Sequence, residues 1–171
     1  MKIHVGCGKR ILEGWCNVDV VRNPGAPRAP DLLALASAIP LGDGVASELM
    51  AIHLFEHFYR WEAAAVLTEW RRLLRPGGRL VLELPNLLKC ARNLLKLAES
   101  GGKPLQQMAM WGIYGDDTLR DPYMMHRSGW WPESLDAFLR EHGFRDVTHE
   151  TPEWHAAGRD NRDMRIVAVR A

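Results

Sequence analysis

Cysteine is scarce in this 171-residue chain, and what there is does not pair. Cys7, Cys16 and Cys90 are an odd number with no repeated spacing, which argues against a disulfide framework or a zinc ribbon and fits a reducing compartment, the cytoplasm. Long hydrophobic runs are missing as well. The stretch free of charge from Leu32 to Gly42 falls well short of the roughly 20 apolar residues that cross a bilayer, and residues 1–8 lack the apolar segment of a secretory signal, so neither a membrane nor an export route is expected. Nor is charge of one sign in excess: 22 Lys and Arg against 21 Asp and Glu leave a net charge of +1, too little to draw in nucleic acid without a local basic patch. Nucleic acid is therefore not an expected partner. What is present, 47% hydrophobic and 25% charged residues without repeats, is the composition of a globular domain. At this length folding buries roughly 70% of the chain's surface, so one domain over residues 1–171 is expected.

The hydrophobic pattern alternates between strand and helix. Lys2 to Val5 and Asn17 to Val21 are short β-prone runs, the first stopping at Gly6-Cys7-Gly8 and the second at the turn-rich RNPGAPRAP. Residues 47–54 form a third apolar run. Trp61 to Leu74 carries Ala64, Leu67, Trp70, Leu73 and Leu74 at helical spacing and ends at Pro76-Gly77-Gly78. Arg79 to Leu84 alternates as a strand, Leu87 to Ala98 is helical, and Ser100 to Ser128 dissolves into an irregular, lid-like excursion. Pro132 to His142 is a helix closed by Gly143, followed by strands at Arg145 to Glu150 and Arg165 to Arg170. This rhythm predicts an α/β fold with a mostly parallel sheet and an antiparallel-capable pair at the end.

Gly6-x-Gly8 directly after a strand lets backbone approach a ligand, because neither position carries a Cβ and both tolerate positive φ. Asp19, at the end of the next strand, is an acid placed to accept two hydrogen bonds from a ribose diol, or else a cap for the following turn. The third glycine of a dinucleotide fingerprint is absent, since Arg10 and Ile11 follow, and there is no Lys-Ser/Thr pair of a P-loop. A pyrophosphate is thus a poor ligand here.

In order along the chain stand HVGCG (4–8), GWCNVD (14–19), HLFEHF (53–58) and LLRPGGRL (73–80), with weaker echoes in HRSGW (126–130), EHGF (141–144) and DMRIVAVR (163–170). This series resembles the class I S-adenosylmethionine-dependent methyltransferases, particularly small bacterial ones. The resemblance implies a Rossmann-like three-layer sandwich around a seven-stranded, mostly parallel sheet with an antiparallel last strand. It further implies S-adenosylmethionine as cofactor, with Gly6, Cys7 and Gly8 passing under its methionine part and Asp19 holding its ribose. Two departures stand out: His4 occupies a position where the family often has an acid, and Leu35 one where an Asp commonly contacts adenine. LRPGG turns helix into strand in that family and carries no chemistry.

His53-Leu54-Phe55-Glu56-His57 sets three potential ligands at i, i+3 and i+4, which one helical turn would gather on one side. The spacing suits a divalent metal. It matches the inverted zinc-protease motif, whose long helix this context lacks, and resembles methyltransferases with E-x-x-E-H that grip substrate hydroxyls through a divalent ion. Three readings stay open: a metal site of His53, Glu56, His57 and His126; proton acceptance by His53 or His57 without metal; or capping by Glu56 and His57 while His53 lines the cofactor pocket. With His53 in place of the first Glu, a metal site would be less oxygen-rich and suit a softer ion.

Trp111, Trp130, Trp131 and Trp154, with Tyr114 and Tyr123, crowd the later part of the chain. They either wall an acceptor pocket, with Trp130 and His126 binding substrate, or fasten the excursion to the sheet. The expected activity is methyl transfer from S-adenosylmethionine to a hydroxyl of a small-molecule or saccharide-like acceptor, since the NPPY-type tetrad of amino-directed enzymes is absent. The alternatives are a non-catalytic module on the same fold and a nicotinamide-binding enzyme, which the missing third glycine disfavours.

Overall fold

The computed structural model describes residues 1–101, 108–154 and 162–171, with side chains at 108–109 also outside the described set. Strands β1 (Lys2–Val5), β2 (Cys16–Asp19), β3 (Leu32–Leu33), β4 (Ala46–Ile52), β5 (Leu74–Pro85), β6 (Phe144–Glu150) and β7 (Asp163–Arg170) form one seven-stranded sheet in the order β3-β2-β1-β4-β5-β7-β6. The pairs from β3 through β5 are parallel, while β7 runs antiparallel to both β5 and β6. Connections diverge to either side between β1 and β4, the switch point where open α/β sheets take up ligands at their strands' carboxyl ends.

Helices α1 (Arg60–Leu73), α2 (Leu87–Glu99), α3 (Met108–Tyr114) and α4 (Pro132–Glu141) complete the described elements, with 3-10 turns at Phe55–His57, Asp117–Leu119 and Pro122–Met124. Alternation along the strands sorts the core. Ile3, Val5, Leu49, Ala51, Leu80, Leu82 and Leu84 join Leu67, Trp70 and Leu73 of α1 and Leu135 and Leu139 of α4 in the main core, all buried. On the opposite face Met50, Ile52, Val81 and Val167 pack against Leu12, Trp15 and Trp154. Asn86 caps α2, its Oδ1 accepting from the amides of Leu88 (3.1 Å) and Lys89 (3.2 Å).

Several boundaries differ from expectation for identifiable reasons. β5 begins at Leu74 instead of Arg79, because Arg75-Pro76-Gly77-Gly78 bulges within the strand while Leu74 already pairs with Ala46. β3 is only two residues long, below what any periodicity reveals. β4 stops at Ile52 because His53 takes a left-handed backbone (φ 48°), and the following turn is 3-10, so HLFEH lies on no α-helix. The excursion after Ser100 contains α3 and two 3-10 turns, and residues 102–107 of it lie outside the described set. No helix among the described residues is long and apolar enough to cross a membrane.

Candidate active site

The glycine turn follows directly from the end of β1. Gly6 (φ 70°) and Gly8 (φ 53°) both sit in the left-handed region, and a Cβ at Gly6 would lie 2.8 Å from Leu54 Cδ2, so the turn is pressed against the start of the 53–57 segment. At Gly8 a Cβ would meet nothing within 4 Å: this residue faces open space at the sheet's carboxyl edge. The Gly6 and Cys7 amides donate to Val18 O (2.8 and 3.2 Å). Asp19 reaches back, its Oδ2 accepting from the Gly8 amide at 2.8 Å and its Oδ1 from the Val21 amide at 3.2 Å. A carboxylate offers about four acceptor directions, so two remain for a ribose diol. Leu35, 60% exposed, follows a segment bonded to Asp19 through Ala34 N to Asp19 O (2.9 Å), which brings an apolar side chain to the acid's flank. Cys7 is buried, and burial pushes its thiol up to about 11, leaving it an inert wall.

Asn17 is a residue that the sequence reading passed over. Fully buried, its side chain bonds Leu12 N (2.8 Å), Leu12 O (2.9 Å) and Trp15 O (3.0 Å), fixing the loop between β1 and β2 that carries the glycine turn. Its position within GWCNVD was the available signal.

The histidine cluster divides in two. His53 lies between carboxylates, Nδ1 at 3.2 Å from Glu56 Oε1 and Nε2 at 3.4 Å from Asp163 Oδ2. Burial opposes a charge on this ring, but the bonds to Asp163 and Glu56 and the fields of both outweigh it, and its pKa is raised to about 9. With a carboxylate facing each ring nitrogen, the protonated form of His53 is favoured at neutral pH. Asp163 is gripped in turn by Arg162, Nε to Oδ1 at 2.6 Å and Nη2 to Oδ2 at 3.0 Å. Burial raises the Asp163 carboxyl, and the His53 and Arg162 contacts more than reverse this, to about 2. Asp163 went unremarked in the sequence because nothing local marks it.

Glu56, His57 and His126 do come together. One ligand atom from each lies within 4.8 Å of the others. His57 Nδ1 donates to Met125 O (3.2 Å), which directs the other ring nitrogen, Nε2, away from that carbonyl. The rings of His57 and His126 meet edge to face at 5.0 Å. Glu56 is buried; Oε1 is shared between His53 and, at 3.8 Å, His126 Nε2, while Oε2 has no hydrogen-bond partner among the described residues. Burial lowers the pKa of His126, keeping that ring neutral. Backbone bonds from Arg127 N (2.8 Å) and Ser128 N (3.1 Å) to Glu56 O lay the 125–128 segment against the 3-10 turn, and this is how a histidine from the excursion reaches the site.

Trp130 does not join them. Its ring is 0% exposed, set among Phe55 (5.3 Å) and Phe138 (5.0 Å) with the Arg60 guanidinium over it at 4.1 Å, and its Nε1 donates to Ser128 Oγ (2.8 Å). An enclosed ring has no face for an acceptor, so Trp130 is a core residue that anchors the segment bearing His126. Exposed aromatic surface beside the site comes instead from Tyr59 and Trp61, stacked at 4.4 Å, with Arg127 at 5.0 Å over Tyr59.

Two histidines give stability opposite pH slopes. His4 is buried beside Trp154 (5.2 Å) and burial lowers its pKa to about 4, so between pH 6.5 and 4 the unfolded chain binds a proton that the native one refuses, and stability falls as pH falls. His53, raised to about 9, contributes fully below about pH 6.5 and loses its contribution as pH rises towards 9. Denaturant melts across pH 4–9 are expected to give a maximum near pH 6.5, with each limb worth about 3 kcal/mol at about 1.4 kcal/mol per pKa unit. His4→Phe should flatten only the acid limb and His53→Gln only the alkaline one.

Against known proteins, residues 18–82 match the family model described as a methyltransferase domain. Solved structures superpose over almost the whole chain. A S-adenosylmethionine-dependent methyltransferase from Archaeoglobus fulgidus aligns at TM-score 0.63 and 17% identity, covering 99% of this chain and 85% of that one. The chain thus has the fold of the S-adenosylmethionine-dependent methyltransferases, and part of it carries the methyltransferase-domain signature. A Methanosarcina mazei methyltransferase of the same dependence aligns at TM-score 0.61 and 14% identity, covering 99% and 91%. The Burkholderia thailandensis 1,6-didemethyltoxoflavin-N1-methyltransferase, solved with its substrate and S-adenosylhomocysteine, aligns at TM-score 0.61 and 15% identity, covering 99% and 70%. No curated protein matches. The fold and the domain signature favour S-adenosylmethionine over a nicotinamide dinucleotide as the ligand of the glycine turn.

Proposed function

We propose that this methyltransferase acts as a single domain in the cytoplasm and moves the methyl group of S-adenosylmethionine to an oxygen of a small-molecule or saccharide-like acceptor. The observation that carries the reading is the contact of Gly6 with Leu54, which sets the cofactor turn beside the segment bearing Glu56 and His57. On this reading Gly6, Cys7 and Gly8 pass under the cofactor's methionine part, Asp19 accepts from its ribose hydroxyls, and Leu35 gives the adenine an apolar neighbour. The excursion at 100–128 acts as the lid that brings His126 over the acceptor. When bound, the cofactor would supply a methyl already activated by the sulfonium, with the thioether as leaving group, and the acceptor oxygen would give up its proton as it takes the methyl.

The protein's part is to position that oxygen in line and to ease loss of the proton. His53 holds Glu56 in place, and the ring nitrogen assigned here to the acceptor is His57 Nε2, whose lone pair is left over once Nδ1 donates to Met125 O. That lone pair serves either a proton or a divalent ion, and the residues suited to the ion are Glu56, His57 and His126, without His53. The fold alone does not choose the acceptor atom, since the Burkholderia neighbour is an N1-methyltransferase and another is a carbon methyltransferase. The test is turnover of labelled S-adenosylmethionine over a panel of hydroxy, amino and carbon acceptors, with the product linkage read by NMR. Label on oxygen is expected. Label confined to nitrogen or carbon would overturn the oxygen assignment, and no heat with millimolar S-adenosylhomocysteine would overturn the cofactor site.

A further inference from the structure

We infer that Tyr59, Trp61, Tyr123 and Arg127 form a binding platform for an acidic saccharide, the rings carrying the apolar faces of its sugars and the Arg127 guanidinium holding a sugar carboxylate. The platform stands on the side chains themselves. Its use, to seat the methyl acceptor, rests on the methyl-transfer reading above and narrows the acceptor to one chemical class.

The rings form an ordered row at the surface. Tyr59 and Trp61 stack at 4.4 Å with an interplanar angle of 7°, yet Trp61 is 75% exposed and Tyr123 72%. An indole left so open forgoes the burial that large aromatic side chains usually find, and the core does not call for it, because the buried side of α1 is made by Ala63, Val66, Leu67, Trp70 and Leu73. Nor is the pair loosely held. The Tyr59 amide donates to Glu62 Oε2 at 3.0 Å, and Tyr59 O accepts from the Glu62 and Ala63 amides at 2.9 and 3.0 Å, so the first turn of α1 fixes the backbone beneath both rings. Contiguous exposed apolar surface rimmed by polar groups is the mark of a binding face.

The cation is a second, independent observation. Arg127 lies over Tyr59 at 5.0 Å and over Tyr123 at 5.9 Å. It is half-buried, and among the described residues no hydrogen bond or ion pair engages its guanidinium. Arg72, Arg140, Arg162 and Arg165, by contrast, each lie within 3.0 Å of a carboxylate. Contact with ring faces uses the charge and plane of a guanidinium but none of its N–H donors, and those donors are spaced for the two oxygens of a carboxylate.

Neighbouring charge selects among anions. Glu62 is bonded to the Tyr59 amide and Asp121 Oδ1 accepts from the Tyr123 amide at 2.9 Å, so acids flank the platform on both segments. A phosphate dianion or a nucleic-acid backbone would meet their repulsion, which a single carboxylate largely escapes. Exposure selects the rest of the ligand. A small planar molecule takes an enclosed pocket that covers most of its surface, whereas an open row of rings covers one face of successive units in an extended ligand, and sugars offer such an apolar C–H face. Both segments that carry the platform also build the candidate site: Tyr59 and Trp61 follow His57 along the chain, and the Arg127 amide donates to Glu56 O at 2.8 Å. A sugar chain on the rings therefore runs towards Glu56 and His57, where the hydroxyl of its next unit would meet the methyl group.

The test is calorimetry on the full-length protein at low salt, without cofactor. The probes are trigalacturonate, trimannuronate and a hyaluronan tetrasaccharide, each beside its methyl ester. Saturable binding of at least one acid is expected, at least about tenfold tighter than its ester. Trp61→Ala should weaken acid and ester alike by about tenfold, Arg127→Gln should shrink the preference for the acid to within about twofold, and Arg145→Gln, exposed on β6, should change neither. Circular dichroism melts confirm that each variant is folded, and Tyr123→Ala serves beside Trp61→Ala if Arg127→Gln is not. No saturable binding of any acid, or wild-type binding by both Trp61→Ala and Arg127→Gln, would overturn the platform. An ester that binds as tightly as its acid would overturn the carboxylate assignment. Tighter binding of 2-naphthoate or of decauridylate, lost in the same variants, would overturn the saccharide in favour of an aromatic acid or RNA. Calorimetry with S-adenosylhomocysteine separates the two readings, because nucleoside binding without saccharide binding removes this inference alone, and saccharide binding without nucleoside binding removes the methyl-transfer reading alone.

Discussion

Asp19→Ala is expected to weaken S-adenosylhomocysteine binding by about 2 to 4 kcal/mol, between one and three decades in Kd, measured by calorimetry. Two losses combine. The first is the pair of charge-assisted hydrogen bonds that the carboxylate would make with a ribose diol. The second is internal: Asp19 Oδ2 accepts from Gly8 N at 2.8 Å, so removing it releases the glycine turn from the end of β2. Asp19→Asn separates them, since its amide oxygen can still accept from Gly8 while the charge towards the ribose is gone. An intermediate loss for Asn is the expected result, and an affinity unchanged in both variants would mean that the ribose binds elsewhere.

His57→Ala is expected to lower turnover about 100-fold or more while the affinity for S-adenosylhomocysteine stays within a few fold. The asymmetry follows from placement. His57 is tied to Met125 O, and among the described residues no hydrogen bond links it to the glycine turn or Asp19, so on the proposed reading its loss removes a lone pair from the acceptor and spares the nucleoside. Chelation then reports how the lone pair is used: loss of activity with EDTA and rescue by a first-row ion point to a ligand, and indifference points to a proton acceptor. Wild-type turnover in His57→Ala would dismiss both roles.

How much of this was legible beforehand depends on the distance over which each feature is determined. Helices α1, α2 and α4 and the strands β1, β2 and β7 are set by periodicity within a dozen residues, and their ends shift by only a few positions. The glycine turn and Asp19 are equally local, since each acts through backbone that follows a strand end. The distinction among the histidines is not local at all. Whether His53 is a base or a cation turns on Asp163, which lies far along the chain and reaches it only when β7 is in place. The same limit explains Trp130, whose ring looks alike in sequence whether it lines a pocket or fills the core, and is decided by Phe55 and Phe138 closing around it. Leu35 was marked only by the family resemblance, and what the fold adds is the backbone bond from Ala34 N to Asp19 O that ties its segment to the end of β2.

The antiparallel strand has a consequence for how the protein is made. Because β7 runs against β5, its first residue, Asp163, pairs with the last residue of β5, Pro85, and so arrives at the same edge of the sheet as His53. A newly synthesised chain can form the nucleoside half early, from the glycine turn and β2. The 53–57 segment gains its Asp163 partner only once β7 has inserted between β5 and β6, a long-range pairing of the slow-forming kind. A molecule that lacks β7 would therefore keep the glycine turn between β1 and β2 and lose the Asp163 carboxylate that holds the His53 ring.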